Sequence, residues 1–274
     1  MGTLYLVATP IGNLEDLSPR AIRVLREARL IAAEDTRHTR QLLTHFDLHT
    51  PLTSYFDHNK LAKLDAILAE LSLGDVALVS DAGTPAINDP GYELVKAALG
   101  AGHPVSPVPG PSAPIAALAA SGLPTDSLLY MGYLPRKSSE RREFIGRVAN
   151  LPYTLIFFET PHRLLESLAD LESVLHDRQM CAARELTKIH EQFVRGCISE
   201  VKAHFTEHEP RGEFVLVVSG QLSVGSEQWA QEKLVAAIQR ELEGGKKAKE
   251  IATELAGQSG WSKKEVYALV IQGK

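Results

Sequence analysis

At 274 residues the chain is long enough for two modest cores and a small appendage, and its 44% hydrophobic and 23% charged content is ordinary for a soluble globular enzyme. A formal net charge of −5 excludes a binder of nucleic acid by overall positive charge, and no apolar run approaches the length of a membrane span, so no membrane partner is expected. Two cysteines, Cys181 and Cys197, and ten scattered histidines make neither a disulfide framework nor a metal spacing. No metal is expected, and the simplest compartment is a reducing cytoplasm.

The first half alternates short apolar runs with amphipathic segments. Leu4–Ala8 reads as a strand with no basic leader before it. Ser18-Pro19 supplies an N-cap and a first-turn proline for a helix with Ile22, Leu25 and Ala28 on one face. Leu30–Ala33 is the next strand, then a helix near Arg40–Phe46, then a third strand at Leu52–Tyr55. Leu61, Leu64, Leu68 and Leu71 stand at helical spacing. Val76–Ser80 is a buried strand, and Pro90 fits the first turn of a helix through Leu94, Val95 and Ala98 that stops at Gly100-Ala-Gly102. Val105–Val108 precedes Pro109-Gly-Pro-Ser112 and an alanine-rich helix ending at Gly122. This is the pattern of an α/β domain with a largely parallel sheet, expected over residues 1–122.

Gly and Pro punctuate Ser121-Gly-Leu-Pro124, and a mixed α/β domain is expected over 123–222. Strands fit Leu128–Tyr133, Thr154–Phe158, Met180–Arg184, Gln192–Cys197 and Phe214–Ser219, with helices at Glu140–Val148 and Pro161–Leu175. So few helices per strand imply antiparallel pairs. Residues 227–274 read as a helical extension with Trp229, Leu234 and Ile238 on one stripe and breaks at Gly244-Gly245 and Gly257–Gly260. Ser262-Lys-Lys-Glu265 is a capping-box pattern opening a last helix. The extension suits a helix-turn-helix unit or a stabilising brace.

The chemistry-bearing residues sit where strands end. Residues 79–91, Val-Ser-Asp-Ala-Gly-Thr-Pro-Ala-Ile-Asn-Asp-Pro-Gly, leave a strand's carboxyl end, where open α/β sheets bind ligands. Gly83 permits close backbone approach, and Asp81 places a carboxylate at the rim. Thr9-Pro-Ile-Gly-Asn13 follows the first strand without the dinucleotide fingerprint, and no P-loop occurs. Glu34-Asp-Thr-Arg37 suits orienting a polar substrate or abstracting a proton, and equally suits internal pairing. Pro109-Gly-Pro-Ser-Ala113 leads into a helix amino terminus, which favours an anionic group, with Ser112 as the N-cap. Phe158-Glu-Thr-Pro-His-Arg163, Arg184-Glu-Leu-Thr-Lys-Ile-His-Glu191 and Gly212-Glu-Phe214 repeat the arrangement. Together these loops point to a cleft between two lobes. Arg136–Arg142 and Lys246–Lys249 are local positive stretches that suit solvated helix faces or contact with phosphates.

In order, Leu4–Asp16, Ala33–Arg37, Val79–Pro85, Pro109–Ser112, Glu159–Arg163, Arg184–Lys188 and Gly212–Phe214 resemble the tetrapyrrole-methylase, or class III, superfamily of S-adenosylmethionine-dependent methyltransferases. Within it they resemble the subgroup acting on small-subunit ribosomal RNA. The resemblance implies a two-lobed α/β fold with a helix-turn-helix-like extension, and a homodimer holding S-adenosylmethionine between the lobes. It implies 2′-O-methylation of a cytidine in the decoding region of 16S rRNA, with the rRNA met in an assembled small ribosomal subunit. The donor contacts it implies are Asp81, Ala82, Gly83, Ile87, Ser112 and Ala113, with Glu159, Leu186 and Phe214 from the second lobe. This chain has Pro10-Ile-Gly12 where the wider superfamily has Gly-Pro-Gly, a departure that argues against a tetrapyrrole acceptor. For the chemistry, Asp35, Glu185 and Lys188 are the candidate bases, Asp35 favoured, with Asn13 and Arg37 as positioning groups. The rival readings are a methyltransferase acting on a tetrapyrrole or other small molecule, and a non-enzymatic nucleic-acid-binding regulator.

Overall fold

The computed structural model describes residues 1–56, 60–221, 229–244, 246–259 and 261–272. The expected boundaries at 222 and 227, and Gly245 and Gly260 of the expected breaks, lie outside the described residues.

The first sheet contains β1 (Leu4–Val7), β2 (Leu30–Ala33), β3 (Leu52–Ser54), β4 (Val76–Val79) and β5 (Val105–Val108), in the order β3-β2-β4-β1-β5. Every pairing is parallel, because each strand is joined to the next by a helix. These helices are α1 (Pro19–Glu27), α2 (Thr36–His45), α3 (Lys60–Leu73) and α4 (Tyr92–Gly100). The period of two divides the central strands between two cores. Ala77 and Val79 face Val24 and Leu25 of α1 and Leu42 and Leu43 of α2, while Val76 and Leu78 face Ile67 and Leu71 of α3 and Leu94 and Ala98 of α4. Both faces are covered, so β4 reads as an unbroken apolar run.

Local signals set the helix ends. Ser18 Oγ accepts from the Ala21 N–H at 3.1 Å ahead of Pro19. Pro90, expected in the first turn of α4, lies before it, because Gly91 is the N-cap and packs on Ala86. A Cβ on Gly91 would fall 2.7 Å from the Ala86 Cβ.

The second sheet contains β6 (Leu128–Tyr133), β7 (Thr154–Glu159), β8 (Gln179–Arg184), β9 (Gln192–Cys197) and β10 (Phe214–Val218), ordered β6-β7-β10-β8-β9. Only β6 and β7 pair in parallel; the other neighbours are antiparallel. One face packs on α6 (Ser138–Gly146), α7 (Leu164–Leu175) and α8 (Ile198–Glu207). Helix α8 is not among the sequence expectations. Its signals are apolar Ile198, Val201 and Phe205 at helical spacing, and Glu200, whose carboxylate accepts from the Cys197 N–H at 2.7 Å.

The other face of this sheet is covered by the preceding half of the chain. Helix α5 (Ala113–Ser121) follows β5, yet its Ala117 and Leu118 pack on Ile156, Ala183, Val215 and Val217. Ile11, at the exit of β1, joins the same cluster. The two lobes therefore meet through α5 and the β1 exit.

Helices α9 (Gln231–Glu243), α10 (Ala248–Ser259) and α11 (Lys263–Gln272) enclose a core of their own around Leu234, Ile238, Ile251, Leu255, Val266 and Val270. The Trp261 indole donates to the Trp229 carbonyl at 2.7 Å. Ser262 and Glu265 form the reciprocal capping box: the Ser262 N–H donates to the Glu265 carboxylate at 2.9 Å, and the Glu265 N–H to Ser262 Oγ at 3.2 Å. Among the described residues, no helix is long and apolar enough to cross a membrane.

Candidate active site

Four loops leave the carboxyl edge of the first sheet and are tied to one another. Thr9, after β1, and Gly83, after β4, exchange both backbone hydrogen bonds at 2.9 Å, and Thr9 Oγ1 donates to the Ser80 carbonyl at 3.2 Å. Gly83 takes φ = +76°, a conformation suited to glycine. The Asp35 N–H, after β2, donates to Asp81 Oδ1 at 3.0 Å, so that carboxylate is oriented by a neighbouring loop. Thr84 Oγ1 donates to the Pro111 carbonyl at 3.3 Å, adding the exit of β5. Ala86 and Asn88 lie in the left-handed region at φ = +68° and +65°, strain kept where the surroundings over-determine the loop.

The second lobe closes over this edge at two points. Gly12 lies against Leu186–Lys188; a Cβ there would fall 2.5 Å from Lys188 Cγ and 2.9 Å from the Leu186 carbonyl oxygen. That approach explains why Pro10-Ile-Gly12 ends in glycine. Asn88 packs on Gly132 of β6, again with no room for a side chain at the glycine.

Between the lobes lies a cleft of about 270 Å³. Its lining includes Asp81, Ala82, Gly83, Ile87, Ser112, Ala113, Glu159, Leu186 and Phe214, the nine residues expected to contact the donor. They border it in different ways. The Glu159 side chain is committed inward: Oε1 accepts from the Thr160 N–H at 2.7 Å and Arg163 Nη2 at 2.5 Å, and Oε2 from Ser167 Oγ at 2.5 Å. The Phe214 ring is a core group, edge-on to Phe205 with centroids 5.3 Å apart. Ser112 is the N-cap of α5, but its hydroxyl makes no cap hydrogen bond. The first N–H groups of that helix therefore lack a capping side chain.

Of the five residues expected to act in the chemistry, only Lys188 lines the cleft. Asn13 accepts from the Glu15 N–H at 3.0 Å and caps a single 3-10 turn at Leu14–Asp16. Arg37 grips Asp35 through both carboxylate oxygens, Nε to Oδ1 at 3.1 Å and Nη2 to Oδ2 at 2.7 Å. These bonds, with the Arg37 N–H and charge, hold the Asp35 carboxyl far below the usual range and raise the Arg37 pKa. Glu185 receives Lys188 Nζ at 2.9 Å and the Glu213 N–H at 3.2 Å, while Lys188 also reaches Glu213 at 3.0 Å. Burial opposes ionisation of Glu185 and Lys188, but their hydrogen bonds and charges outweigh it, lowering the Glu185 pKa and raising that of Lys188. Lys188 is a firm cation and Asp35 a firm anion; neither is suited to accept a proton.

Sequence reasoning did not find the aromatic wall of Tyr130, Tyr133 and Phe158. Tyr130 meets Phe158 edge-on with centroids 5.6 Å apart, and Tyr133 is tilted on the same ring at 5.3 Å. Burial raises the Tyr130 pKa, and its hydroxyl has no hydrogen-bond partner among the described residues. Residues three apart on a regular strand face opposite ways. Here the β6–β7 register shifts between Tyr130 and Tyr133, with Gly132 at φ = +66°, and the irregularity brings both tyrosines to the cleft. Glu34, Asp89 and Glu213 also line the cleft and make its rim acidic.

Residues 3–202 match the family model of the Tetrapyrrole (Corrin/Porphyrin) Methylases. Ribosomal RNA small subunit methyltransferase I of Synechocystis sp. is 45% identical, over 99% of this chain and 98% of that protein. The protein of the same name from Halalkalibacterium halodurans is 46% identical, over 99% of this chain and 95% of that protein. Among solved structures, the methyltransferase CobJ superposes with a TM-score of 0.61 at 17% identity, covering 84% of this chain and 98% of that one. Uroporphyrin-III C-methyltransferase from Thermus thermophilus, complexed with S-adenosylhomocysteine, gives 0.55 at 21% identity, covering 80% and 98%. These likenesses are of fold. With the matching family model and near-full-length identity to the curated relatives, they lead to one conclusion: the chain belongs to the ribosomal RNA small subunit methyltransferase I family, within the tetrapyrrole methylases.

Proposed function

We propose that the protein transfers a methyl group from S-adenosylmethionine to the ribose 2′-oxygen of a cytidine in the decoding region of 16S rRNA, acting on an assembled small subunit as a cytoplasmic homodimer. The observation that carries this reading is the cleft: loops from both lobes converge on one cavity. Its lining suits the donor. Ile11, Ile87, Leu186 and Val215 offer apolar surface for a nucleoside, and the start of α5 offers N–H groups for a carboxylate. The acidic rim of Glu34, Asp81 and Asp89 suits a sulfonium and an ammonium.

When bound, S-adenosylmethionine supplies an electrophilic methyl carbon on a positively charged sulfur. The protein's part is to hold the acceptor oxygen in line and to take its proton; alignment alone removes a large entropic barrier. Asp81 is the proposed proton acceptor. Its Oδ1 is held by the Asp35 N–H, and the residue lines the cleft. Asp35 and Arg37 act as positioning residues through that contact, Asn13 holds the turn after β1, and the Glu185–Lys188 pair holds the second-lobe rim. RNA contacts are assigned to exposed Arg136, Lys137 and Arg142 and to tail lysines such as Lys247 and Lys264. Arg141 of the same stretch is buried against Asp170 at 2.7 Å and takes no part.

The test combines the purified protein, labelled S-adenosylmethionine and unmethylated small subunits, followed by mapping of the labelled nucleoside. The expected product is 2′-O-methylcytidine at a single position. Label on a tetrapyrrole and none on rRNA would move the protein to the small-molecule side of its superfamily. Sedimentation of the purified protein tests the dimer.

A further inference from the structure

Helix α5 joins the lobes, and neither of its ends carries a charge of its own: no acidic residue stands in its first turn and no basic one in its last. A helix is partly positive at its start and partly negative at its end, so each end favours a group of opposite sign. The far end of α5 is met from the other lobe. Arg195, on the edge strand β9, donates from Nη2 to the Ala120 carbonyl at 2.7 Å and from Nε to the Ser121 carbonyl at 3.2 Å. These carbonyls close the helix and have no donor within it. The Phe193 ring supports the guanidinium, whose carbon lies 4.9 Å from the ring centroid. The near end opens on the cleft, where Ser112, Ala113 and Pro114 are lining residues. The N–H groups of Ala113 and Ile115 precede the first bond within the helix, from Ala116 to Ser112 at 2.9 Å.

We propose that Arg195, outside the cleft, is a positioning residue for donor binding: it fixes α5 from its far end, so that the helix start meets the donor's carboxylate. The inference rests on the reading of the cleft as the S-adenosylmethionine site. Three observations carry it. Glu34, Asp81, Asp89 and Glu213 line the cleft and disfavour a carboxylate, so that group needs local compensation. Among the described lining residues the one cation is Lys188, which Glu185 and Glu213 already hold, and this leaves the start of α5 for the anion. Arg195 acts on that start in two ways. Its fork holds two carbonyls at once, which sets the helix along its length, while Ala117 and Leu118 seat the middle turns in the second-lobe core. Its charge offsets the negative end about 13 Å away and leaves the positive end less opposed. Since Arg195 belongs to the second lobe and the start of α5 borders the first, the grip on the donor depends on the lobes being docked.

The experiment is calorimetric titration of the protein with S-adenosylmethionine and with decarboxylated S-adenosylmethionine, which lacks only the carboxylate. Arg195→Met keeps the aliphatic stem of an exposed side chain and removes its charge and donors. It is expected to weaken S-adenosylmethionine binding about fivefold and to leave the decarboxylated donor unchanged. Arg195→Lys keeps the charge but cannot hold both carbonyls, and should show a smaller loss with the same dependence on the carboxylate. An equal loss for both ligands would make Arg195 a general brace and overturn the inference, as would S-adenosylmethionine affinity unchanged in both variants. If the wild type binds the two donors equally, the carboxylate lies elsewhere, and the inference falls while the donor site stands. A wild type that binds neither donor overturns the reading of the cleft, and this inference with it.

Discussion

The Asp35 N–H holds the carboxylate of Asp81 at 3.0 Å, while the Asp35 side chain is itself held through both oxygens by Arg37. One acid is thus a fixed anion whose backbone orients a second acid, and only the second lies in the cleft. Asp35→Asn, which keeps an N-cap residue ahead of α2, is expected to leave turnover within the same order of magnitude. Asp81→Asn is expected to lower kcat by about 100-fold or more. The paired rates, measured on small subunits with equal folding checked by circular dichroism, decide which carboxylate takes the proton.

The Glu185–Lys188–Glu213 cluster predicts a signed pH dependence. The lowered Glu185 pKa contributes stability that is full above the unfolded value of about 4.3 and is lost as pH falls through the folded value. The raised Lys188 pKa contributes stability that is full below about 10.4 and is lost as pH rises through the folded value. Lys188→Met should therefore cost about 1 kcal/mol between these limits and progressively less outside them. Urea denaturation across pH measures it; a loss that is constant from acid to alkaline pH would contradict the assignment.

Gly12 tests the inter-lobe contact. Gly12→Ala places a methyl 2.5 Å from Lys188 Cγ, and overpacking of this kind costs about 1–3 kcal/mol. Because the strain falls between the lobes that frame the cleft, it should appear as weaker donor binding as well as lower stability. Calorimetric titration with S-adenosylmethionine separates the two effects.

Arg141 and Arg142 are adjacent, yet the first is buried and the second exposed. Arg141 is 1% exposed and bonded to Asp170, so Arg141→Ala strips a nearly buried carboxylate of its direct ion pair, leaving Ser138 Oγ at 2.9 Å and Arg142 at 3.8 Å, and should cost about 3 kcal/mol. Arg142→Ala should cost under about 0.5 kcal/mol while weakening subunit binding and flattening its salt dependence. Denaturant melts and a filter-binding salt series report the two sides. Salt-independent binding by the wild type would remove the RNA role of this surface.

The helical extension has its own core, and its capping box is local. Ser262→Ala removes the acceptor for the Glu265 N–H and should cost about 1 kcal/mol. Thermal unfolding followed by Trp229 and Trp261 fluorescence should show the loss in the extension's transition.

Much of this arrangement is legible in the chain because its signals are local. Short apolar runs mark most of β1 to β5, Ser18-Pro19 marks the start of α1, and the polar or Gly/Pro-rich tracts mark strand exits that do meet at one cleft. Helix α8 escaped because it follows β9 without a break: Cys197 ends the strand and caps the helix, so no Gly or Pro separates the two periodicities. Pro90 misled because a first-turn proline is a preference, and the contact of Gly91 with Ala86 sets the start of α4 instead.

The sequence by itself determined which segments become strands and helices, and which polar residues stand at strand ends, since those follow from side-chain period and backbone chemistry within a few residues. Only the tertiary structure decided that α5 packs on the second sheet and that the β6 irregularity turns Tyr130 and Tyr133 to one cleft. Only it decided that Arg37 neutralises Asp35 and that Arg195 reaches the end of α5 from the other lobe. Each of these depends on the distance and orientation of groups far apart in the chain. Burial, ion pairing and the shape of a cavity are properties of that packing, and no local pattern encodes them.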